Sequence, residues 1–503
     1  MKNIKPEIWL LIIVLFGLCL RLAFFVGLAW SDDPGYVSDA YRVMNGEFFL
    51  GKYLPALRVG IIYPIALCFK IFGINNFSAA LYPLLCSLGM IIVTYYLGKI
   101  LLNERVGLLS AFFVSIFPID IQCGTWPMPD EPLAFLSSLS ILLFLLSEKD
   151  NDKFKKRLLY FFSGVTIGLS YLTNISGLIP FLFLVPFVLY KFLKNKKIDF
   201  NYSFLFVGFL MIFLLEGTFY YKNAGDFLLQ YHVVSGFYGP NTPGINKDLW
   251  FYPNKMFNLS LPHSFSFNLS NKYFVPYGLF YYFVLIAILY IIILKKRKYY
   301  IPLFWLLFYF LYHQFGTMSL TQYLPVHKLE RHLTVLTVPA VLCLSCFLID
   351  FYEMNKSKWF PLQLRKVFVV TTTVFLLITS IYYSYNMYEY TYASTWDMKE
   401  IYNFLKNYPN KKIYCDIGTL SHLRFYYGFK NDFYIRDLAS VENADQLKGS
   451  FVILDGSRGV IENPWTLPSF LDQESNKWYL KNVISGPKVD IWARYDPKIY
   501  YVP

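Results

Sequence analysis

A mostly α-helical, polytopic membrane bundle of about eleven spans is the fold class the sequence predicts, with amphipathic surface helices in its first outer loop and a small C-terminal extracytoplasmic α/β domain. Three observations carry this reading. Of 503 residues, 56% are apolar, 20% aromatic and only 16% charged, with mean hydropathy +0.40, whereas soluble domains are about a quarter charged. Apolar runs long enough, or nearly so, to cross about 30 Å of hydrocarbon recur down to about residue 385. The Lys and Arg behind a net charge of +13 sit in short clusters between those runs, which fits membrane topology and gives no basic face for nucleic acid.

The runs fall at about 8–30, 77–101, 104–120, 131–147, 158–173, 176–193, 202–220, 277–294, 300–318, 332–351 and 367–385. Alternate loops carry the basic clusters: Lys2 and Lys5, Lys99 and Arg105, 148–157, 191–197, K-K-R-K at 295–298, and 353–366. The positive-inside rule then places the N-terminus in the cytoplasm. The loops at 31–76, 121–130, 221–276 and 319–331, and the tail from 386, lie outside. The run at 104–120 is short, and re-entry there would shift the parity. No small-residue cleavage site precedes Ser31, so the first run reads as an anchor. These assignments divide the chain into a transmembrane catalytic domain, 1–385, and an outer domain, 386–503.

Cysteines add little. Of seven, only Cys123 and Cys415 lie clearly outside the apolar runs, a disulfide between them is not favoured, and Cys343 and Cys346 read as packing residues. In the tail, 396–409 reads as an amphipathic helix closed by Pro409, 411–416 and 451–456 as strands, and 419–427 as a helix. D-G-S-R-G at 455–459 lacks the Lys-Ser/Thr ending of a phosphate loop and reads as a turn. Sequons at Asn258 and Asn268 arise readily in a loop rich in Asn and Ser and carry little weight.

The chemistry starts from W-S-D-D-P-G-Y at 30–36. Asp33 before Pro34 suits a helix N-cap, Gly46 suits a stop, and Val37, Ala40, Tyr41, Val43 and Met44 form one apolar stripe. A short helix on the membrane surface follows from that pattern. It accounts for Asp33 and leaves Asp32 without a structural task. The punctuation recurs in P-M-P-D-E-P at 127–132, where Asp130 and Glu131 again precede a span on the outer face. Either pair alone could be a cap; together they point to a shared site for a sugar, a cation or a proton. Arg58 stands at the edge of an apolar segment too short to cross, and H-K-L-E-R-H at 327–332 brings Lys328, Arg331 and His332 to the same face. Snorkelling to headgroups explains such residues, and so does a grip on phosphate. Acids that activate a hydroxyl, cations for a phosphate and a membrane frame suit sugar transfer from a lipid phosphate.

Those same runs, D-D-P-G-Y, R-V-G-I-I-Y-P-I-A-L, R-V-G-L-L-S-A-F-F-V, P-D-E-P-L-A-F-L and E-R-H-L-T-V-L, resemble in order and spacing the membrane glycosyltransferases of the GT-C class. They are most similar to the bacterial and archaeal branch related to protein O-mannosyltransferases and aminoarabinose transferases. The similarity covers about the first 350 residues. The resemblance implies that Asp32 is the essential first-loop acid, with Asp33 where that class often has Glu and Tyr36 following. It implies that Arg58 and Arg331 bind the donor phosphate, with Lys328 and His332 beside them, and that Asp130 is the second-loop acid. Tyr36, Tyr63 and Glu131 are then substrate-binding candidates. Here Arg-Val-Gly replaces the class's Lys-Pro-Pro at Arg58.

Such an enzyme would use a polyprenyl-phosphate sugar donor and a protein or lipid-linked glycan acceptor, and would invert at the anomeric carbon with an Asp base. No cofactor is required; some relatives use a divalent cation, which this sequence neither demands nor rules out. The rival from another class is a transporter or flippase of lipid-linked sugars. Against it stand the clustering of the polar candidates at one face and the lack of a visible inverted repeat. A third reading is a non-catalytic envelope assembly factor.

Overall fold

The computed structural model describes residues 5–29, 31–47, 50, 55–196, 199–237, 248–260, 264–267, 275–317, 323–354, 361–430, 434–454, 477–485 and 496–503. The turn expected at 455–459 and the sequon at Asn268 lie outside them. The chain divides into two compact units, one of Met1–Phe25, Phe49–Pro64 and Ala80–Met387, the other of Val26–Phe48, Ile65–Ala79 and Tyr388–Pro503.

Apolar helices make the first unit. Among the described residues, seven helices are long and apolar enough to cross a membrane: Pro6–Ala23, Asn76–Leu101, Asp130–Lys149, Ile175–Lys194, Phe200–Ala224, Glu330–Glu353 and Leu362–Ala393. The other four expected runs are also helical, at Glu104–Ile116, Lys153–Thr173, Phe280–Ile293 and Tyr300–Phe315. The run at 104–120 is broken: Pro118 cannot donate to Val114, so a helix starting at the Asn103 cap stops at Ile116 and a second, short one runs over Pro118–Cys123. Glu330–Glu353 is central, with 89% of its apolar window buried, against 22% for Pro6–Ala23 at the lipid-facing rim. Its first turn is tight, a 3-10 helix over Glu330–Leu336.

The helices Lys153–Thr173 and Ser203–Ala224 approach backbone to backbone. A Cβ on Gly164 would sit 1.9 Å from the Leu205 carbonyl oxygen, and one on Gly208 2.1 Å from that of Phe161. Small residues are what let membrane helices approach so closely.

The second unit holds a five-stranded sheet in the order Ile435–Asp437, Ile413–Cys415, Phe451–Leu454, Lys498–Tyr501, Tyr479–Val483. The first three strands are parallel, and the last two run antiparallel to their neighbours. Asp416 ends one strand and caps the helix Ile417–Tyr426, accepting from the amides of Gly418 (3.0 Å) and Thr419 (3.1 Å). Ile413, Cys415, Leu423, Phe451 and Ile499 form the core beneath it.

Two local expectations differ from the structure. The last apolar run and the amphipathic stretch at 396–409 are one uninterrupted helix, Leu362–Leu405. It contains neither Pro nor Gly, so the fall in hydropathy after 385 marks a change of surroundings and no break in the backbone. The surface helix is Asp33–Met44, and its N-cap position falls on Asp32 rather than Asp33. Neither acid caps it with a side chain; Asp33 turns back instead to the preceding segment. The buried face of that helix, Tyr36, Val37 and Ala40, packs on Ile417–Tyr426, and the Tyr41 ring stacks on Phe429 at 4.6 Å.

The helix contact gives a direct test. Gly164→Leu should destabilise the detergent-solubilised protein by about 3 kcal/mol or more in chemical denaturation, because the new side chain meets backbone. Gly236→Ala, with nothing within 4 Å of its added carbon, should leave stability level or slightly higher. Equal effects from the two substitutions would refute the close contact.

Candidate functional site

The second acid pair is adjacent in sequence and divergent in space. Asp130 opens the helix Asp130–Lys149 with its side chain 4% exposed, and its Oδ2 lies 3.2 Å from Nε of Arg331. The Arg331 guanidinium lies 5.5 Å from the Trp126 ring centroid, a cation–π arrangement that favours Arg over Lys. Thr334 locks the two elements together: its hydroxyl donates to the carbonyls of Arg331 (3.0 Å) and Asp130 (3.3 Å).

Arg58 joins this group electrostatically. It follows the 3-10 turn Pro55–Leu57, and its charge acts on both Asp130 and His332. A small cavity of about 40 Å³ is lined by Arg58, Asn174, Gln230, His313, His327 and His332. His332 Nδ1 meets the His327 carbonyl at 2.9 Å, and the two rings lie edge to face at 6.3 Å. His313 is buried, and neither of its ring nitrogens has a hydrogen-bond partner among the described residues. A guanidinium, three imidazoles and two side-chain amides around one cavity can hold an anionic, hydroxyl-bearing ligand.

Other sequence candidates lie elsewhere. Lys328 is buried and its Nζ donates to the Asp248 carbonyl at 2.8 Å; burial lowers its ammonium pKa, with the Asp248 charge opposing. Glu131 turns from Asp130 into a buried cluster with Asp120 and Arg21. There Arg21 Nε donates to Ser87 Oγ (2.6 Å) and Nη1 to the carbonyls of Gly17 and Ser115 (3.1 Å each). Tyr63 lies on the helix Val59–Phe72 beside a second, apolar cavity of about 520 Å³ that includes Glu216 and Phe219.

Asp32, Asp33 and Tyr36 belong to the other compact unit. Asp33 is fully buried, its Oδ2 accepting from the Ala29 amide (2.5 Å) and its Oδ1 from that of Ser31 (2.9 Å). Tyr36 is buried on the helix face. Asp32 is half-buried and makes no side-chain hydrogen bond among the described residues. It is the acid that local structure leaves available. No group of three or more His, Cys, Asp or Glu among the described residues could hold a metal ion.

Comparison with known proteins agrees with this architecture. Residues 59–220 match the family model described as dolichyl-phosphate-mannose-protein mannosyltransferase. The fold matches ArnT from Cupriavidus metallidurans, solved apo and bound to undecaprenyl phosphate, with a TM-score of 0.60 over 98% of this chain and 97% of that one at 12% identity. The chain shares this membrane-transferase fold. The Archaeoglobus fulgidus oligosaccharyltransferase matches the chain with a TM-score of 0.60, over 90% of this chain and 70% of that one at 14% identity. Among curated sequences, an uncharacterized Aquifex aeolicus protein is 25% identical over 47% of this chain and 48% of its own length. The Archaeoglobus fulgidus dolichyl-phosphooligosaccharide-protein glycotransferase 2 is 25% identical over 42% of this chain and 40% of its own length. The match thus spans about half the length of the curated relatives or less.

Sequence reasoning missed Arg21, Asp120, His313, Gln230 and Asn174. A signal existed for Arg21, an arginine inside an apolar run being costly without a partner; His313 and Gln314 likewise interrupt one. Arg331→Ala should cost about 3 kcal/mol in denaturant stability, because it strips Asp130 of its direct ion pair. Asp130→Asn in the same chain should recover most of that loss. An Arg331→Ala protein as stable as the parent would show that the pair carries no structural weight.

Proposed function

We propose that this chain is a glycosyltransferase of the GT-C class that moves a hexosyl or pentosyl group from a polyprenyl-phosphate donor to an acceptor hydroxyl at the outer face of the plasma membrane. The observation that carries the reading is the group Arg58, Arg331 and Asp130 beside a polar cavity in a GT-C fold. Undecaprenyl phosphate in ArnT and dolichol-phosphate in the Archaeoglobus fulgidus AglB complex support the lipid-phosphate class of donor. The acceptor peptide tethered to the Archaeoglobus fulgidus oligosaccharyltransferase supports a protein acceptor, beside a lipid-linked glycan.

In the proposed reaction Asp32 takes the proton of the acceptor hydroxyl. The acceptor oxygen attacks the anomeric carbon from the side opposite the phosphate, the carbon–oxygen bond to phosphate breaks, and polyprenyl phosphate leaves with the electron pair. Guanidinium groups at Arg58 and Arg331 stabilise the charge that grows on the leaving phosphate. Inversion follows from the single displacement. Asp130 orients Arg331 through their ion pair. The N-terminus lies inside and the C-terminal domain outside in this reading, as the basic loops require.

In a transfer assay with a polyprenyl-phosphate sugar, Asp32→Asn should lower kcat about 100- to 10,000-fold with donor affinity retained. Arg58→Ala should raise the donor KM by roughly tenfold or more. Wild-type transfer by folded Asp32→Asn protein would remove the base; an unchanged KM for Arg58→Ala would remove the phosphate contact.

A further inference from the structure

The sheet unit has no motif that names a ligand, yet it includes the segment that leads into the acid pair. Side chains from two distant stretches of sequence, and Asp33 just beyond it, close on that segment's backbone. Asn76 Oδ1 accepts from the Leu28 amide at 3.2 Å, and Asp33 accepts from the amides of Ala29 and Ser31. His422 Nε2 meets the Ala29 carbonyl oxygen at 2.9 Å across 393 positions of sequence. Both polar atoms of Ala29 are therefore held by side chains. Gly27, at φ +68, makes the turn just before them, a left-handed conformation suited to glycine.

His422 is built for this contact. It is fully buried on the helix Ile417–Tyr426, and its Nδ1 faces the Gly418 carbonyl of its own helix at 3.0 Å. With both ring nitrogens directed at carbonyl oxygens, the ring has no lone pair aimed at a substrate. The helix that carries it is the one on which Asp33–Met44 packs. The contact therefore joins the sheet unit to the residues immediately before and after the acid pair.

We infer that His422 is a positioning residue for Asp32: by holding the Ala29 carbonyl, it anchors the backbone just ahead of that carboxylate, and so makes the C-terminal unit part of the transfer apparatus. The inference rests on the reading of Asp32 as the base. A loop anchor of this kind changes turnover because small errors in the placement of a base are expensive in rate. It leaves donor affinity alone, since His422 touches no phosphate ligand.

The test compares His422→Ala and His422→Gln in the full-length protein, with kcat and donor KM measured in the transfer assay. His422→Ala should lower kcat about 10- to 100-fold with KM within about twofold of the parent. His422→Gln, whose side-chain amide can donate to the Ala29 carbonyl, should restore most of the loss. An unchanged kcat in folded His422→Ala protein, alongside an inactive Asp32→Asn protein, overturns the inference and leaves the transferase reading standing. A fully active Asp32→Asn protein overturns the reading of the base itself. If His422→Ala does not fold, Asn76→Ala, which frees the Leu28 amide of the same segment, decides: a lower kcat at constant KM supports the positioning role, and an unchanged kcat overturns it.

Discussion

A charged side chain in hydrocarbon must find a partner or be excluded, and that constraint organises the membrane unit. Arg21, Asp120, Asp130 and Glu131 are all buried. They come from the first apolar helix, from the short helix Pro118–Cys123 and from the start of Asp130–Lys149. The attraction of Arg21 for both Asp120 and Glu131 draws those three elements together. The break at Pro118 has a purpose in this light: it turns the chain so that Asp120 faces Arg21 and Glu131 instead of lipid. Arg331 answers Asp130 from the most deeply buried span. Membrane packing and the electrostatics of the candidate site thus depend on one set of charges.

Much of the fold was legible because hydrocarbon imposes a simple rule on sequence. Apolar length marks the helices, basic clusters mark the loops, and Asn103 or Asp152 marks a start by accepting from amides within the first turn. Alternation of short strands with a capped helix revealed the C-terminal α/β unit, although the strands at Ile435–Asp437, Tyr479–Val483 and Lys498–Tyr501 went unread. They are short, and Lys, Arg and Asn within them blur the period of two.

The site was legible in its residue types and less so in its geometry. Asp130 and Glu131 look equivalent in P-M-P-D-E-P, yet successive residues on a helix point about 100° apart. One faces Arg331 and the other Arg21, a division that only the packed bundle determines. The division of Asp32 from Asp33 is similar: the local pattern assigned the cap to Asp33, but backbone amides at Ala29 and Ser31 lie closer and claim its carboxylate. Contacts such as Thr334 to Asp130 and His422 to Ala29 span 204 and 393 positions. No periodicity in a single sequence encodes them.

In the proposed division of labour, paired guanidinium groups meet a phosphate, one unencumbered carboxylate meets a hydroxyl, and the C-terminal unit holds that carboxylate's loop. The most direct measurement is product analysis with purified protein, an acceptor and an anomerically pure polyprenyl-phosphate sugar. The account predicts one free polyprenyl phosphate for each sugar transferred, with the new linkage of opposite anomeric configuration. Intact donor merely moved across a vesicle membrane, with no free polyprenyl phosphate formed, would contradict it and favour a lipid-linked sugar transporter.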